Sequence, residues 1–303
     1  MGRLQAVWSP SYEVDIGPHV FPTAKYRMVR DRLLAEQVLA EEDFLQPEAA
    51  TWEEVGRVHS PEYLEKIRTD SLSPLERLTL EVPFSPELRE ASLLCCGGTA
   101  LTGRLALQDG VGVHLGGGFH HACSGHGEGF CLLNDVAVAL VTLLAEEEIQ
   151  RAAVVDCDVH QGNGTADILR SETRVFTFSI HQERNYPHPK PPSDLDVGLA
   201  DGIGDEEYLE ALEDSLDRVL GESSPDLVIY LAGADPYEED QLGGLRLTIP
   251  GLRKRDDMVI GECRRAGACV AVVLAGGYAR WEEHTVRIHC ESVKAALEVL
   301  EEG

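Results

Sequence analysis

The chain has 303 residues, of which 43% are hydrophobic and 26% are charged, a composition typical of folded globular proteins rather than of disordered or fibrous ones. Its 53 acidic residues outnumber its 26 basic residues, which gives a formal net charge of −27 at pH 7. Because so negative a surface repels phosphate backbones and anionic lipids, neither nucleic acid nor a membrane is expected as a direct partner.

Short apolar segments alternate with segments of helical periodicity along the whole chain. The predicted strands are residues 5–8, 112–115, 152–158, 175–181, 227–232 and 269–275. The predicted helices are residues 23–39, 86–107, 133–146, 205–220, 251–265 and 281–300. Several of the strands are apolar with almost no alternation, which is typical of strands buried on both faces of a parallel sheet.

This order of elements predicts an α/β fold with an open, mostly parallel sheet and helices on both faces. A single domain is expected over residues 1–303, because the sequence has no internal repeat and no low-complexity linker. Residues 182–205 are rich in proline and aspartate. We expect them to form a long functional loop rather than a domain boundary.

Polar side chains follow four of the predicted strands at their carboxyl ends. They are His120 and His121 after residues 112–115, Asp156, Asp158 and His160 at the end of residues 152–158, Asp235 after residues 227–232, and Tyr278 after residues 269–275. In open parallel sheets, ligands bind beyond the carboxyl ends of the strands. We therefore expect these side chains to form one site.

Two carboxylates and one imidazole within this set suit a metal ion. Asp156, Asp158 and His160 alternate along the chain, so they would point the same way if the strand stayed extended. Asp158 and His160 at its tip, together with Asp235 from another strand, would supply three ligands and leave one position open for water. Zinc suits such a set, and Fe²⁺ or Co²⁺ would also fit, because ligand type alone does not separate them.

The adjacent histidines suggest acid–base chemistry, with one general acid and one general base. Each imidazole needs a partner on its second ring nitrogen, and we predict Asp156 for His120 and Asn163 for His121. Because an aspartate favours the imidazolium and an asparagine offers only a neutral hydrogen bond, the two imidazoles should differ in basicity. Tyr278 would donate a hydrogen bond to an oxyanion.

These residues lie in a pattern that resembles the zinc-dependent histone deacetylase superfamily, which has the arginase–deacetylase α/β fold. The motifs that carry the resemblance are residues 117–121, 129–135, 156–164, 232–235 and 276–278. Other details are similar to class IV deacetylases and to bacterial histone-deacetylase-like amidohydrolases; they include residues 185–187 and 239–245.

The resemblance implies Asp158, His160 and Asp235 as metal ligands. It also implies that His121 activates water and protonates the leaving amine, and that His120, held by Asp156, is its electrostatic partner. Asn163 stands where some class I members have an aspartate. Tyr278 would hold the oxyanion of the substrate amide.

The resemblance also implies a narrow substrate channel and a monovalent cation site. The channel would accept an acylated aminoalkyl chain between Gly129, Phe130 and Tyr186. Leu242 stands where polyamine-specific relatives can have a gating glutamate, and an apolar gate disfavours a polycation. The potassium site would be formed by Asp156, Asp158, His160 and Ser179.

The favoured function is therefore zinc-dependent removal of an acyl group from an acyl-lysine or a related acylated primary amine. An acetylpolyamine or another small acylated amide is the alternative substrate. A two-manganese ureohydrolase has less support, because Pro236 and Tyr237 follow Asp235 and supply no further carboxylate. A non-catalytic protein that binds acylated amines would have no need of the complete ligand set and the tyrosine.

The remaining features point to the cytoplasm and to ordinary structural roles. The first residues lack the apolar core of a secretory signal, and eight cysteines without a CxxC pair are too few for a disulfide scaffold or a zinc knuckle. The oligomeric state is not indicated. His59, His284 and His289 are predicted to be surface or helix-packing residues, whereas His181 and His188 lie near enough to the predicted loop to contact substrate.

Overall fold

The computed structural model describes residues 3–302 and contains one open sheet of eight strands. The strands are β1 (Ala6–Val7), β2 (Phe44–Leu45), β3 (Val111–His114), β4 (Ala152–Asp156), β5 (Val175–Gln182), β6 (Leu195–Leu199), β7 (Leu227–Leu231) and β8 (Cys269–Val273). Their order is β2-β1-β3-β8-β7-β4-β5-β6, and every neighbouring pair is parallel. The predicted open parallel sheet is confirmed.

Two groups of helices cover the sheet, in which strands β3, β4 and β7 are buried over their whole length. The helices are α1 (Lys25–Ala35), α2 (Trp52–Val55), α3 (Pro61–Thr69), α4 (Pro74–Leu80), α5 (Pro86–Asp109), α6 (Asp135–Ala145), α7 (Asn163–Leu169), α8 (Asp205–Ser223), α9 (Ile249–Arg265) and α10 (Glu282–Glu302). Helix α5 packs on β3, β8 and α6, while α1, α10, α9 and α8 pack in series. No helix within residues 3–302 combines the length and the apolar character needed to cross a bilayer.

All six predicted strands and all six predicted helices are present, with ends that differ by a few residues. The sequence failed to reveal β6, which lies inside the predicted loop of residues 182–205. This strand is at the edge of the sheet, and its first four residues alternate between half-buried and exposed, so it lacks the apolar run of a central strand. The two-residue strand β2 and the short helices α2, α3, α4 and α7 were also not predicted.

Strand β4 ends at Asp156 rather than at residue 158, which corrects the geometry expected for the alternating residues. Asp158 and His160 follow in the turn beyond the strand. The turn is stabilised by its own carboxylates, since Asp158 N donates to Asp156 Oδ1 (3.1 Å) and His160 N donates to Asp158 Oδ1 (3.0 Å). The three side chains therefore have different partners, as described below.

The four strands that carry the predicted site residues, β3, β8, β7 and β4, are direct neighbours in the centre of the sheet. Because all of them are parallel, their carboxyl ends lie along the same edge. The fold thus brings four distant segments of the chain together at one place.

Candidate metal centre and active site

Asp158, His160 and Asp235 form a buried cluster at this edge, in which one ligand atom from each residue lies within 4.8 Å of the others. His160 Nδ1 is 3.0 Å from Asp158 Oδ1 and 3.3 Å from Asp235 Oδ2. Asp235 Oδ2 is buried and makes no hydrogen bond of acceptable geometry with any described residue. A buried carboxylate oxygen is costly without a partner, so this donor set fits a divalent cation.

Backbone amides fix both carboxylates of this cluster. Gly276 N donates to Asp158 Oδ2 (2.9 Å), and Val159 N donates to Asp235 Oδ1 (2.9 Å). A Cβ atom on Gly276 would overlap both carboxylates, so only glycine fits at this position. The other oxygen of each carboxylate remains directed toward His160.

A fully buried arginine on α9 supports the strand ends beneath the cluster. Arg255 Nη1 donates to the carbonyl of Gly233 (2.6 Å) and lies 3.4 Å from that of Cys157, and its guanidinium pairs with Asp256 (2.8 Å). These contacts join the ends of β4 and β7. The sequence did not identify this residue, because it lies in a highly charged helix segment that is typical of an exposed face.

The two histidines have the predicted partners in the structure. His120 Nδ1 lies 2.7 Å from Asp156 Oδ2, and His121 Nδ1 lies 2.7 Å from Asn163 Oδ1. The Nε2 atoms of the two rings are 3.2 Å apart. Asn163 Nδ2 donates to Glu128 Oε1 (2.6 Å), so Asn163 Oδ1 acts as the acceptor for His121. His121 therefore carries its proton on Nδ1 and a lone pair on Nε2.

The environments of the two rings give them opposite pKa shifts. Burial alone would lower the pKa of His120, but the carboxylates of Asp156 and Asp158 outweigh burial and raise it to about 9. Burial, together with the positive charge of His120, holds the pKa of His121 well below its usual range. His120 is thus an imidazolium and His121 a neutral imidazole near pH 7.

Two residues that received no role in the sequence analysis hold the segment that carries these histidines. Asp135 accepts hydrogen bonds from Gly118 N (3.0 Å) and Phe119 N (2.7 Å). Asn134 Nδ2 donates to the carbonyls of His120 (3.3 Å) and Ala122 (3.1 Å). Both residues belong to the motif of residues 129–135, but only the fold shows which backbone groups they contact.

His59 has a positioning role that the sequence did not indicate. It is buried, its Nδ1 bonds to the carbonyl of Cys123 (3.0 Å), and its Nε2 accepts from Asn134 N (3.0 Å). His59 is therefore neither a surface residue nor a simple packing residue. His284 and His289, by contrast, lie on α10.

The backbone of Tyr278 is held firmly, and its phenol is almost fully buried. Tyr278 N donates to Asp240 Oδ2 (2.7 Å), and the side chain of Gln241 donates to the Tyr278 carbonyl (2.9 Å). Burial, with the nearby carboxylates of Asp158 and Asp235, raises the pKa of Tyr278 well above its ordinary value. The phenol therefore stays protonated and can donate a hydrogen bond.

Lys25 is a second buried charge beside this tyrosine that the sequence did not reveal. Its Nζ donates to the carbonyl of Ala275 (2.7 Å) and lies 6.0 Å from the centre of the Tyr278 ring. Burial lowers the pKa of Lys25 to about 8, although the carboxylates of the cluster oppose that shift. Lys25 ties the amino end of α1 to the end of β8.

A cavity of about 390 Å³ leads from the surface to the cluster. Its lining includes all four predicted channel residues, Gly129, Phe130, Tyr186 and Leu242, together with His121, His160 and Tyr278. His19 and Glu81 also line it and had not been predicted. A short chain of hydrogen bonds connects the cavity wall to His121. The hydroxyl of Tyr186 donates to Glu128 Oε1 (2.7 Å), which also accepts from Asn163, the partner of His121.

His181 and His188 do not line this cavity. His181 is buried on β5, where its Nδ1 bonds to Ser179 Oγ (3.0 Å), and His188 lines a separate cavity. Ser179 pairs in register with Asp156 on the neighbouring strand. This places Ser179 beside the segment proposed for potassium, and the potassium site itself stays a prediction.

Comparison with known proteins identifies the family. Residues 19–295 match the histone deacetylase domain. An uncharacterized protein of Picosynechococcus sp. strain PCC 7002 is 40% identical, and the match covers 97% of this chain and 98% of that protein. Histone deacetylase 2 of Arabidopsis thaliana is 28% identical over 97% of this chain and 79% of its own length.

Solved structures agree with this assignment. The HD domain of HDA15 is 25% identical, with a TM-score of 0.77 that covers 98% of this chain and 87% of that chain. A histone deacetylase homologue from Aquifex aeolicus shows the same fold, with a TM-score of 0.83, 22% identity and coverage of 99% and 89%. The arginase–deacetylase fold is therefore confirmed, and so is the expectation of an amide-hydrolysing enzyme. This chain belongs to the histone deacetylase family.

Proposed function

We propose that this chain is a zinc-dependent deacylase that cleaves the acyl amide of an acylated lysine side chain or of a related acylated primary amine. The observation that carries the proposal is that His121, His160 and Tyr278 line one cavity of about 390 Å³. A metal ligand, a neutral imidazole and a phenol donor at one point are the groups that metal-assisted amide hydrolysis requires.

Asp158, His160 and Asp235 would hold the ion, since they offer two carboxylate oxygens and one imidazole nitrogen within 4.8 Å of one another. Three protein ligands are typical of a catalytic zinc, and Fe²⁺ or Co²⁺ would accept the same donors. When bound, zinc would polarise the substrate carbonyl and lower the pKa of the attacking water toward about 7.

His121 is the general base in this proposal. Its Nε2 carries a lone pair because its Nδ1–H donates to Asn163, and its low pKa keeps it unprotonated until it takes a proton from water. It can then return that proton to the departing amine. His120 remains positively charged beside Asp156 and stabilises the negative charge that develops on the substrate.

The cavity wall supports a straight-chain substrate. Phe130, Tyr186 and the apolar Leu242 line a passage suited to the methylenes of a lysine side chain. Tyr278 would donate a hydrogen bond from its phenol to the carbonyl oxygen as negative charge develops there. An acetylpolyamine is the alternative substrate, and Leu242 offers no negative charge to its additional amines.

Turnover of acyl-lysine peptides tests the proposed function. We expect hydrolysis that a chelator abolishes and that added zinc restores, because the reaction depends on a bound ion. The panel should contain acetyl-lysine and longer acyl-lysine peptides together with an N-acetylated polyamine. Faster turnover of the polyamine would favour the alternative substrate, and failure to hydrolyse any member would favour a binding protein over an enzyme.

The pH dependence of kcat/KM tests the assignment of the two histidines. His121 works while neutral, so activity falls as the pH drops through its pKa, which lies below its usual value. His120 works while protonated, so activity also falls as the pH rises through about 9.

We expect Asp156→Asn to move the alkaline limb of this profile to lower pH, because burial then lowers the pKa of His120 with less opposition from carboxylates. At neutral pH the variant should lose on the order of 10²-fold in kcat/KM. Profiles of the wild type and the variant make the comparison. An alkaline limb that stays in place would contradict the role given to His120.

A further inference from the structure

A second group of potential metal ligands lies outside the cavity that holds Asp158, His160 and Asp235. Cys123, His126 and Glu128 each place one ligand atom within 4.8 Å of the others. They lie in the turn between the histidine pair and Phe130, and they line a separate cavity of about 630 Å³. Nothing in the proposed hydrolysis uses the thiol of Cys123 or the imidazole of His126.

The turn that carries these residues is held in shape by hydrogen bonds. Cys123 N donates to the carbonyl of His126 (2.9 Å), which brings the two side chains to the same side of the turn. The body of the protein anchors the turn, since His59 Nδ1 bonds to the Cys123 carbonyl (3.0 Å) and Ser60 N donates to the Ser124 carbonyl (2.8 Å). The backbone would therefore need little reorganisation to bind an ion.

We propose that Cys123, His126 and Glu128 form a second site for a divalent metal ion, with zinc as the ion that suits them best. A thiolate sulfur, an imidazole nitrogen and a carboxylate oxygen are all zinc ligands, and the sulfur disfavours Mg²⁺ and Ca²⁺. The His126 side chain is 41% exposed, so solvent can reach the site and complete the coordination.

The second site shares a carboxylate with the groups around His121. Glu128 Oε2 pairs with His126 Nε2 (2.8 Å), whereas Glu128 Oε1 accepts from Asn163 (2.6 Å) and from Tyr186 (2.7 Å). An ion bound to Glu128 would thus contact a residue that orients Asn163, the partner of His121. The same glutamate holds Tyr186 in the wall of the substrate cavity. The second ion would be linked to the active site without touching substrate.

Protons should compete with the metal at this site. Thiol and imidazole ligands bind a metal ion only in their deprotonated forms. Metal binding therefore releases protons to solvent, and the affinity of the second site should increase as the pH rises. The sulfur ligand also makes the two sites distinguishable by spectroscopy, because the first contains only oxygen and nitrogen donors.

Titration of the metal-free protein with Co²⁺ tests the proposal. We expect two equivalents to bind, and we expect a thiolate-to-cobalt charge-transfer band in the near ultraviolet that accompanies only one of them. Cys123→Ser should abolish this band and bind one equivalent. Cys269→Ser changes a half-buried cysteine at the start of β8 and should keep both the band and the stoichiometry.

His126→Ala provides an independent variant at a half-exposed position, and circular dichroism and thermal unfolding check that its fold is retained. Removing a residue that only supports a metal ligand typically lowers metal affinity by roughly 10- to 100-fold. Because His126 is proposed as a ligand itself, we expect the variant to bind the second equivalent of Co²⁺ with a larger loss of affinity than this. A single equivalent in the wild type, or a charge-transfer band that persists in Cys123→Ser, would overturn the proposal. The result does not depend on catalysis, so it is separate from the test of the proposed function.

Discussion

Asp235→Asn is expected to lower kcat/KM on an acyl-lysine substrate by on the order of 10³-fold or more. The asparagine amide is nearly the same size as the carboxylate but cannot supply the anionic oxygen that the metal cluster requires. The oxygen that would be lost is Asp235 Oδ2, which is buried and without a hydrogen bond among the described residues. Zinc content measured after dialysis should fall in parallel with activity.

The same variant should keep its fold, which separates loss of the ion from loss of structure. Asparagine can retain the acceptor for Val159 N, the contact that now fixes Asp235 Oδ1. Burial and the neighbouring Asp158 raise the pKa of Asp235 to about 7, so a neutral side chain is compatible with this position. Asp214→Asn, at an exposed position on α8, is the matched control and should retain zinc and activity. Full zinc content together with normal turnover in Asp235→Asn would show that Asp235 is not a ligand.

Tyr278→Phe is expected to reduce kcat by on the order of 10²- to 10³-fold, the usual effect of removing one donor to a developing oxyanion. The change deletes only the phenolic oxygen, which is neutral in the folded protein because burial raises its pKa. Since the interaction is made with charge that develops during the reaction, the loss should appear in kcat more than in KM. Steady-state kinetics with a fluorogenic acyl-lysine peptide measure it.

Two controls show whether a loss of activity in Tyr278→Phe comes from the missing phenol alone. Zinc content should remain at the wild-type level, because Tyr278 is not one of the clustered ligands. Tyr237→Phe removes another buried phenol, which bonds to His284 (3.0 Å) and does not line the cavity, and it should leave kcat within a few-fold of wild type. Wild-type turnover in Tyr278→Phe would exclude the phenol as the oxyanion donor.

The sequence predicts the fold and the residues at the strand ends for the same physical reason. Buried parallel strands read as apolar runs, so the polar residues that follow them are conspicuous, and the carboxyl ends of parallel strands must share an edge. That reasoning brought His120, Asp158, Asp235 and Tyr278 together although they follow four different strands. It also gave the partners of the histidines, because an imidazole in a buried site requires one.

The supporting residues escaped prediction because their sequence contexts are ordinary. Lys25 and Arg255 lie in charged helical segments that resemble exposed faces, and only the tertiary structure buries them completely. Asp135, Glu128 and Asp240 bind backbone or side-chain groups of distant segments. The spacing of residues along the chain does not predict such contacts. Strand β6 escaped for a related reason, since an edge strand with one exposed face lacks a continuous apolar run.

Diffraction from zinc-soaked crystals, recorded on both sides of the zinc absorption edge, shows whether Asp158, His160 and Asp235 bind the ion together. We expect an anomalous peak at roughly 2.0–2.2 Å from a carboxylate oxygen of Asp158, a carboxylate oxygen of Asp235 and the Nδ1 atom of His160. A structure in which Asp235 turns away from the other two residues, with no peak between them, would contradict this expectation.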